Sequence, residues 1–136
     1  MKTIARAGIR STGANYLHDI EAGHFSLQAD EPAVLGGQGK GPAPFDLYLA
    51  SLAACTAITL RMYAERKGWD LGDFRAEIKL TRDDDGTLRV HRVLHASGAL
   101  DDAQWARLLE IVANTPVTKA MREGVAITSE RGNANT

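Results

Sequence analysis

Cysteine is nearly absent. The chain of 136 residues holds one, Cys55, which excludes an internal disulfide and any zinc site built from a cysteine cluster. A lone thiol also fits a reducing compartment. Neither sign of charge is in excess: 16 Lys and Arg stand against 17 Asp and Glu, for a net charge of -1. A nucleic-acid binder shows a basic surplus, so no nucleic-acid partner is expected. The opening MKTIARAGIRSTG lacks an apolar h-region. No signal peptide is therefore expected, and the cytoplasm is the default location. The length sets one domain, residues 1–136, with a modest core.

The chain is organised around Pro44 to Lys67, PFDLYLASLAACTAITLRMYAERK, with no Gly and no Pro after the first residue. Pro44 suits the first helical position and Asp46 the positive end of the helix dipole. Gly68 suits the left-handed residue after the last turn. The uncharged run, Leu47 to Leu60, is shorter than the ~20 residues of a membrane span and includes Ser51, Thr56 and Thr59. No membrane partner is expected. A helix apolar on every side is buried on every side, and one small sheet covers only one. A second copy of the chain supplies the missing cover, which predicts a homodimer with this helix at its centre. Tyr48, Ser51, Leu52, Cys55, Ile58, Thr59 and Met62 share one face.

Ahead of the helix, Thr3–Arg10, Asn15–Glu21 and His24–Ala29 read as a meander of short strands, and Asp30–Ala43 as a Gly- and Pro-rich loop. Its Gly39-Lys40 is no phosphate loop, because Val34 and Gly41 stand where that pattern needs Gly and Ser or Thr. After the helix, Phe74, Ala76, Ile78 and Leu80 alternate with polar residues as a half-buried strand. Asp83-Asp84-Asp85-Gly86 is a hairpin turn without the spacing of a calcium loop. Thr87–Ser97 returns as the partner strand. Its His91 and His95 stand about 13 Å apart, too far to share a metal, and no metal site is expected. Leu100–Asn114 is an amphipathic helix, started by Asp101 or Asp102. A short helix restarts at Pro116 with Thr115 as N-cap. Val125–Ser129 reads as a last strand, and residues 130–136 as a frayed tail. Segregated runs of this kind give an α+β fold with antiparallel sheets.

Gly41 to Trp69, GPAPFDLYLASLAACTAITLRMYAERKGW, resembles the central helix of the OsmC/Ohr proteins, closely so their OsmC-like branch. Ala29–Gly37 looks like the segment before that helix. Leu100–Met121 looks like the family's second helix and following turn, and Val125–Ser129 like its final strand. The resemblance implies an intertwined homodimer, with antiparallel sheets wrapped around two central helices. It also implies thiol-dependent reduction of organic hydroperoxides without metal, flavin or haem, hence no cofactor. Cys55 matches the family's attacking cysteine. The family's resolving cysteine is replaced by Thr115, within Thr115-Pro116-Val117. Phe45 stands where the Ohr branch has a Glu, and Asp46 follows it as an acid does in the OsmC-like branch. The turn Thr12–Asn15 lacks the Ohr arginine, and Arg10 is the nearest candidate to support the thiolate.

A peroxidatic cysteine works as the anion. Cys55 stands mid-helix, beyond the reach of the helix dipole, so a cation must approach through tertiary or dimer contacts. Arg61 is off its face, which leaves Arg6, Arg10, Lys119 or Arg122. Asp46, nine residues earlier, falls on the far side of the helix. It is a candidate acid for catalysis with a sufficient role as a first-turn charge. Tyr48, Ser51, Leu52 and Thr115 are the candidate substrate-lining residues. Two functions follow. One is a one-cysteine peroxidase for organic hydroperoxides, recycled by an external thiol. The other is a non-catalytic dimer that binds a small apolar molecule between subunits, with Cys55 a buried small hydrophobe.

Overall fold

A computed structural model describes residues 1–133. It divides into two compact units, Met1–Ala50 and the chain from Ser51 onward. The first holds strands β1 (Ala7–Ser11), β2 (His18–Ala22) and β3 (Phe25–Ala29). They form one antiparallel sheet in the order β1-β2-β3, with Ile9, Ile20 and Leu27 in register. The three strands begin four, three and one residues later than the alternation predicts, and Thr12 closes the turn between the first two. Its hydroxyl donates to Leu17 O at 2.8 Å and accepts from Ala14 N at 3.2 Å.

The glycine-rich loop is ordered around one carboxylate. Asp30 is buried, and its oxygens accept the backbone N–H of Glu31 at 2.8 Å and of Gln38 and Lys40 at 3.2 Å. Gly37 passes so close to Glu31 that a Cβ would lie 1.9 Å from its carbonyl oxygen.

Helix α1 (Pro44–Lys67) runs from the first unit into the second. Asp46 closes its start by accepting from Ala43 N at 3.0 Å. At its end Gly68 turns left-handed at φ 69, with Gly68 N donating to Glu65 O and Trp69 N to Ala64 O. That paired closure satisfies carbonyls the helix leaves open.

In the second unit, β4 (Phe74–Arg82) and β5 (Leu88–Ala96) form the expected hairpin, with Ile78 facing Arg92. Helix α2 (Asp102–Val112) starts in a reciprocal capping box. Asp101 accepts from Gln104 N at 2.7 Å, and Gln104 accepts from Asp101 N at 2.8 Å. Such a cap stabilises by about 1 kcal/mol. Helix α3 (Pro116–Glu123) follows. Leu60, Ala64, Leu71, Leu108 and Val112 form the buried core, with Trp69, Phe74, Leu94 and Trp105 packed on it.

One expectation is corrected, that of a last strand, while the one-sided cover that a single chain gives α1 matches the expectation. Within one chain α1 buries a single stripe, Leu52, Thr56, Leu60 and Ala64, while Ile58 and Met62 each stay 55% exposed. Val125–Ser129 forms no strand, and Val125 and Ile127 are exposed. The cause is common to both: a strand needs an edge and an all-round apolar helix needs a second cover, and within the second unit neither segment meets one. Residues 134–136 of the expected tail lie outside the described residues. Helix α1 does have the length and composition of a membrane span. At its middle, however, Thr56 receives the Arg92 guanidinium at 2.9 Å, a charge that hydrocarbon penalises by about 2.5–3.5 kcal/mol.

Candidate functional site

The site is built by α1, β5 and the start of α3. Cys55 is half-buried on α1, and the hydroxyl of Thr59, one turn on, lies 3.9 Å from its sulfur. Pro116 holds Thr115 extended at φ -69 and ψ 158. The chain then enters α3 with its first-turn N–H groups unclaimed by the helix. The N–H of Val117 and the hydroxyl of Thr115 both draw the Cys55 thiol toward its anion. Thr115 is the N-cap residue by position, but its hydroxyl makes no capping bond to the helix backbone. It bonds the Thr118 hydroxyl at 2.7 Å instead.

Arg92 enters from β5. One of its terminal nitrogens donates to Thr56 Oγ1 at 2.9 Å and to Thr118 Oγ1 at 3.1 Å; the other donates to Val112 O at 2.8 Å. Burial pushes the Cys55 thiol up. The Val117 N–H, the Thr115 and Thr59 hydroxyls and the Arg92 charge together outweigh it, and the thiol lies below its ordinary value. Burial in turn holds Arg92 below its ordinary value, and the Cys55 thiolate offsets part of that.

Of the residues singled out from the sequence, Cys55 and Thr115 are brought together. Leu52 is buried and its carbonyl accepts the Thr56 hydroxyl at 2.7 Å. Ser51 is exposed on α1. Tyr48 stands edge-on to Phe45 at 6.1 Å, and Asp46 serves the helix start. Arg10 lies exposed in β1, paired in register with Asp19. Arg61 donates to Gly72 O at 2.6 Å and Arg122 to Ala113 O at 2.7 Å, so both are engaged elsewhere. Within the second unit the cation acting on the thiol is Arg92, which sequence reasoning passed over. The signal was present. Leu88, Val90, Leu94 and Ala96 mark one face of β5, and Arg92 breaks that apolar alternation.

A half-buried thiol drawn toward its anion, in an α+β frame of antiparallel sheets, is the class of protein these features define. The sequence profile described as OsmC-like protein matches residues 37–130, and the chain belongs to that family. Solved structures share the fold. A protein of Psychrobacter arcticus assigned to the osmotic-stress and detoxification response is 20% identical with a TM-score of 0.75, over 88% of this chain and 90% of that one. An organic hydroperoxide resistance protein OsmC of Legionella pneumophila is 25% identical with a TM-score of 0.63, over 89% and 92%. The organic hydroperoxide resistance protein OhrB of Bacillus subtilis is 23% identical with a TM-score of 0.59, over 88% and 91%. No curated protein matches the chain in sequence.

Proposed function

We propose that this protein reduces organic hydroperoxides through Cys55 and is recycled by an external thiol. The observation that carries the reading is the setting of one sulfur: half-buried Cys55 has the Thr59 hydroxyl at 3.9 Å, and the Arg92 guanidinium is bonded to the neighbouring Thr56 at 2.9 Å. A thiolate attacks the distal oxygen of the peroxide. The O–O bond breaks, the alkoxide takes a proton and leaves as the alcohol, and Cys55 becomes a sulfenic acid. With Thr115 in place of a resolving cysteine, an external thiol condenses with the sulfenic acid, releasing water. A second thiol then attacks the mixed disulfide and frees the Cys55 thiolate. Such turnover calls for a reducing compartment such as the cytoplasm. In this reading the working form is an intertwined homodimer, its sheets wrapped around two α1 helices. Support comes from Ile58, Met62, Val125 and Ile127, apolar side chains that one chain leaves in water.

The test mixes purified protein with cumene hydroperoxide and dithiothreitol. Peroxide loss well above that of Cys55→Ser is expected, and equal rates reject the reading. Sedimentation that finds only monomer rejects the dimer. A second reading, binding of a small apolar molecule without turnover, is favoured by one feature. The first unit has an open cleft of about 780 Å³ lined by Pro32, Leu35, Pro44 and Phe45 among others. Raised thermal stability with an apolar ligand, together with no peroxide loss, would select it.

A further inference from the structure

We propose that Arg92 is the positioning residue of the Cys55 site: its forked guanidinium pins the turn between α2 and α3 to α1 one residue from Cys55, a task for which its charge alone does not suffice. The inference deepens the reading above and rests on Cys55 being the reactive group.

The fork carries it. Arg92 Nη1 commits both of its protons, one to Thr56 Oγ1 on α1 at 2.9 Å and one to Thr118 Oγ1 in the first turn of α3 at 3.1 Å. Nη2 donates to the carbonyl of Val112, the last residue of α2, at 2.8 Å. The stretch 113–117 thus has both flanking residues, Val112 and Thr118, on one side chain, and that side chain is anchored on α1 beside Cys55. Thr56 is fully buried and donates its own proton to Leu52 O at 2.7 Å, which leaves its oxygen to accept from Arg92. The stretch held in this way contains Thr115 and Val117, the groups of the turn that act on the thiol. A lysine would bring the same charge on a single nitrogen, whereas the acceptors here surround two. Arg122 marks the contrast. It grips the same stretch from its exposed side, through Ala113 O at 2.7 Å and Asn114 Oδ1 at 3.5 Å, both within the turn itself. Other charged groups on the packed elements are engaged or turned away. Arg61 on α1 holds Gly72 O, Glu110 on α2 holds Arg107, and Lys119 is exposed on α3. On the hairpin, Glu77, Lys79, His91 and His95 alternate onto the face opposite Arg92.

The test follows the rate of Cys55 alkylation by iodoacetamide against pH, on the full chain, with folding and stability checked by circular dichroism and urea melts. Arg92→Gln loses charge and fork together, and its midpoint is expected to rise by about one pH unit or more. Arg92→Lys keeps the charge, and its midpoint is still expected to rise, by less. Arg122→Gln loosens the same turn from outside and is expected to keep the wild-type midpoint. A purely structural Arg92 would lower the urea midpoint and leave the alkylation midpoint in place, which overturns the proposal. Arg92→Lys at the wild-type midpoint also overturns it, because charge would then be the whole effect, as does an Arg122→Gln shift as large as that of Arg92→Gln. If neither Arg92 variant folds, Thr56→Val decides, since it keeps the guanidinium but frees it from α1: a raised midpoint supports the proposal and an unchanged one overturns it. Alkylation needs no peroxide, so a protein that fails to reduce hydroperoxides can still pass or fail this test.

Discussion

Arg92 stands directly opposite Ile78 in the β4–β5 ladder, a guanidinium set against an aliphatic side chain on the inward face of the hairpin. A charge in that position is costly unless it is bonded. Three acceptors from three segments meet it: Thr56 on α1, Val112 at the end of α2 and Thr118 on α3. The residue that disrupts the apolar pattern is thus the one that ties the site together.

Cys55 should react as a thiolate at a pH where an ordinary cysteine, with a pKa of about 8.5, is still mostly protonated. The alkylation midpoint is expected below that value. Stability follows the same linkage. The lowered folded-state pKa contributes stability that is full above the unfolded value and lost as pH falls through the folded one. Urea melts of wild type and Cys55→Ser should therefore diverge as pH rises. A midpoint at or above that of free cysteine contradicts the site.

Thr115→Cys should restore a second sulfur where the chain has a hydroxyl. The Thr115 side chain acts on the Cys55 thiol, and a disulfide between the two positions would need their Cβ atoms within about 4.5 Å. After cumene hydroperoxide, the variant is expected to lose both free thiols and the mass of two hydrogens. Wild type should instead give a sulfenic acid that dimedone traps. Two free thiols surviving in the oxidised variant would show that the side chains do not meet.

Asp30 should make the loop before α1 acid-sensitive. Burial pushes its carboxyl up, but the N–H groups of Lys40, Glu31 and Gln38 and the Lys40 charge together pull it below the usual carboxylate range. The stabilisation is full above the ordinary carboxylate pKa and fades as pH falls through the lowered one. Hydrogen exchange at the Gln38 and Lys40 amides should quicken there, and Asp30→Ala should quicken it at neutral pH. Unchanged protection in the variant would contradict this role.

Gly98→Ala should destabilise the second unit. A Cβ there would lie 1.9 Å from Asp70 O and 2.6 Å from the Leu71 carbonyl carbon, where Gly98 N bonds Leu71 O at 3.0 Å. Backbone must shift, at a cost of about 1–3 kcal/mol. Chemical denaturation measures it, and an unchanged midpoint would refute it.

Local chemistry was legible in the sequence. Pro44 and Gly68 mark both ends of α1, alternation marks β4, and Asp101 marks the start of α2. The family was legible too, from the residues around Cys55. Features that depend on what one segment meets in another were less so. Thr115 suits an N-cap by residue type, yet its hydroxyl bonds that of Thr118 instead of the helix backbone. The Asp30 loop looks like a plain connection because the partners of the carboxylate are backbone amides, which carry no residue signature. Arg92 was readable as an exception on β5, but not its destination.

The bare Val125–Ile127 stretch carries a consequence for the newly made protein. It alternates β-branched residues with a smaller one, and the second unit gives it no ladder to join. Every interval spent alone is therefore an interval in which any exposed sheet border, or a protease, can capture it.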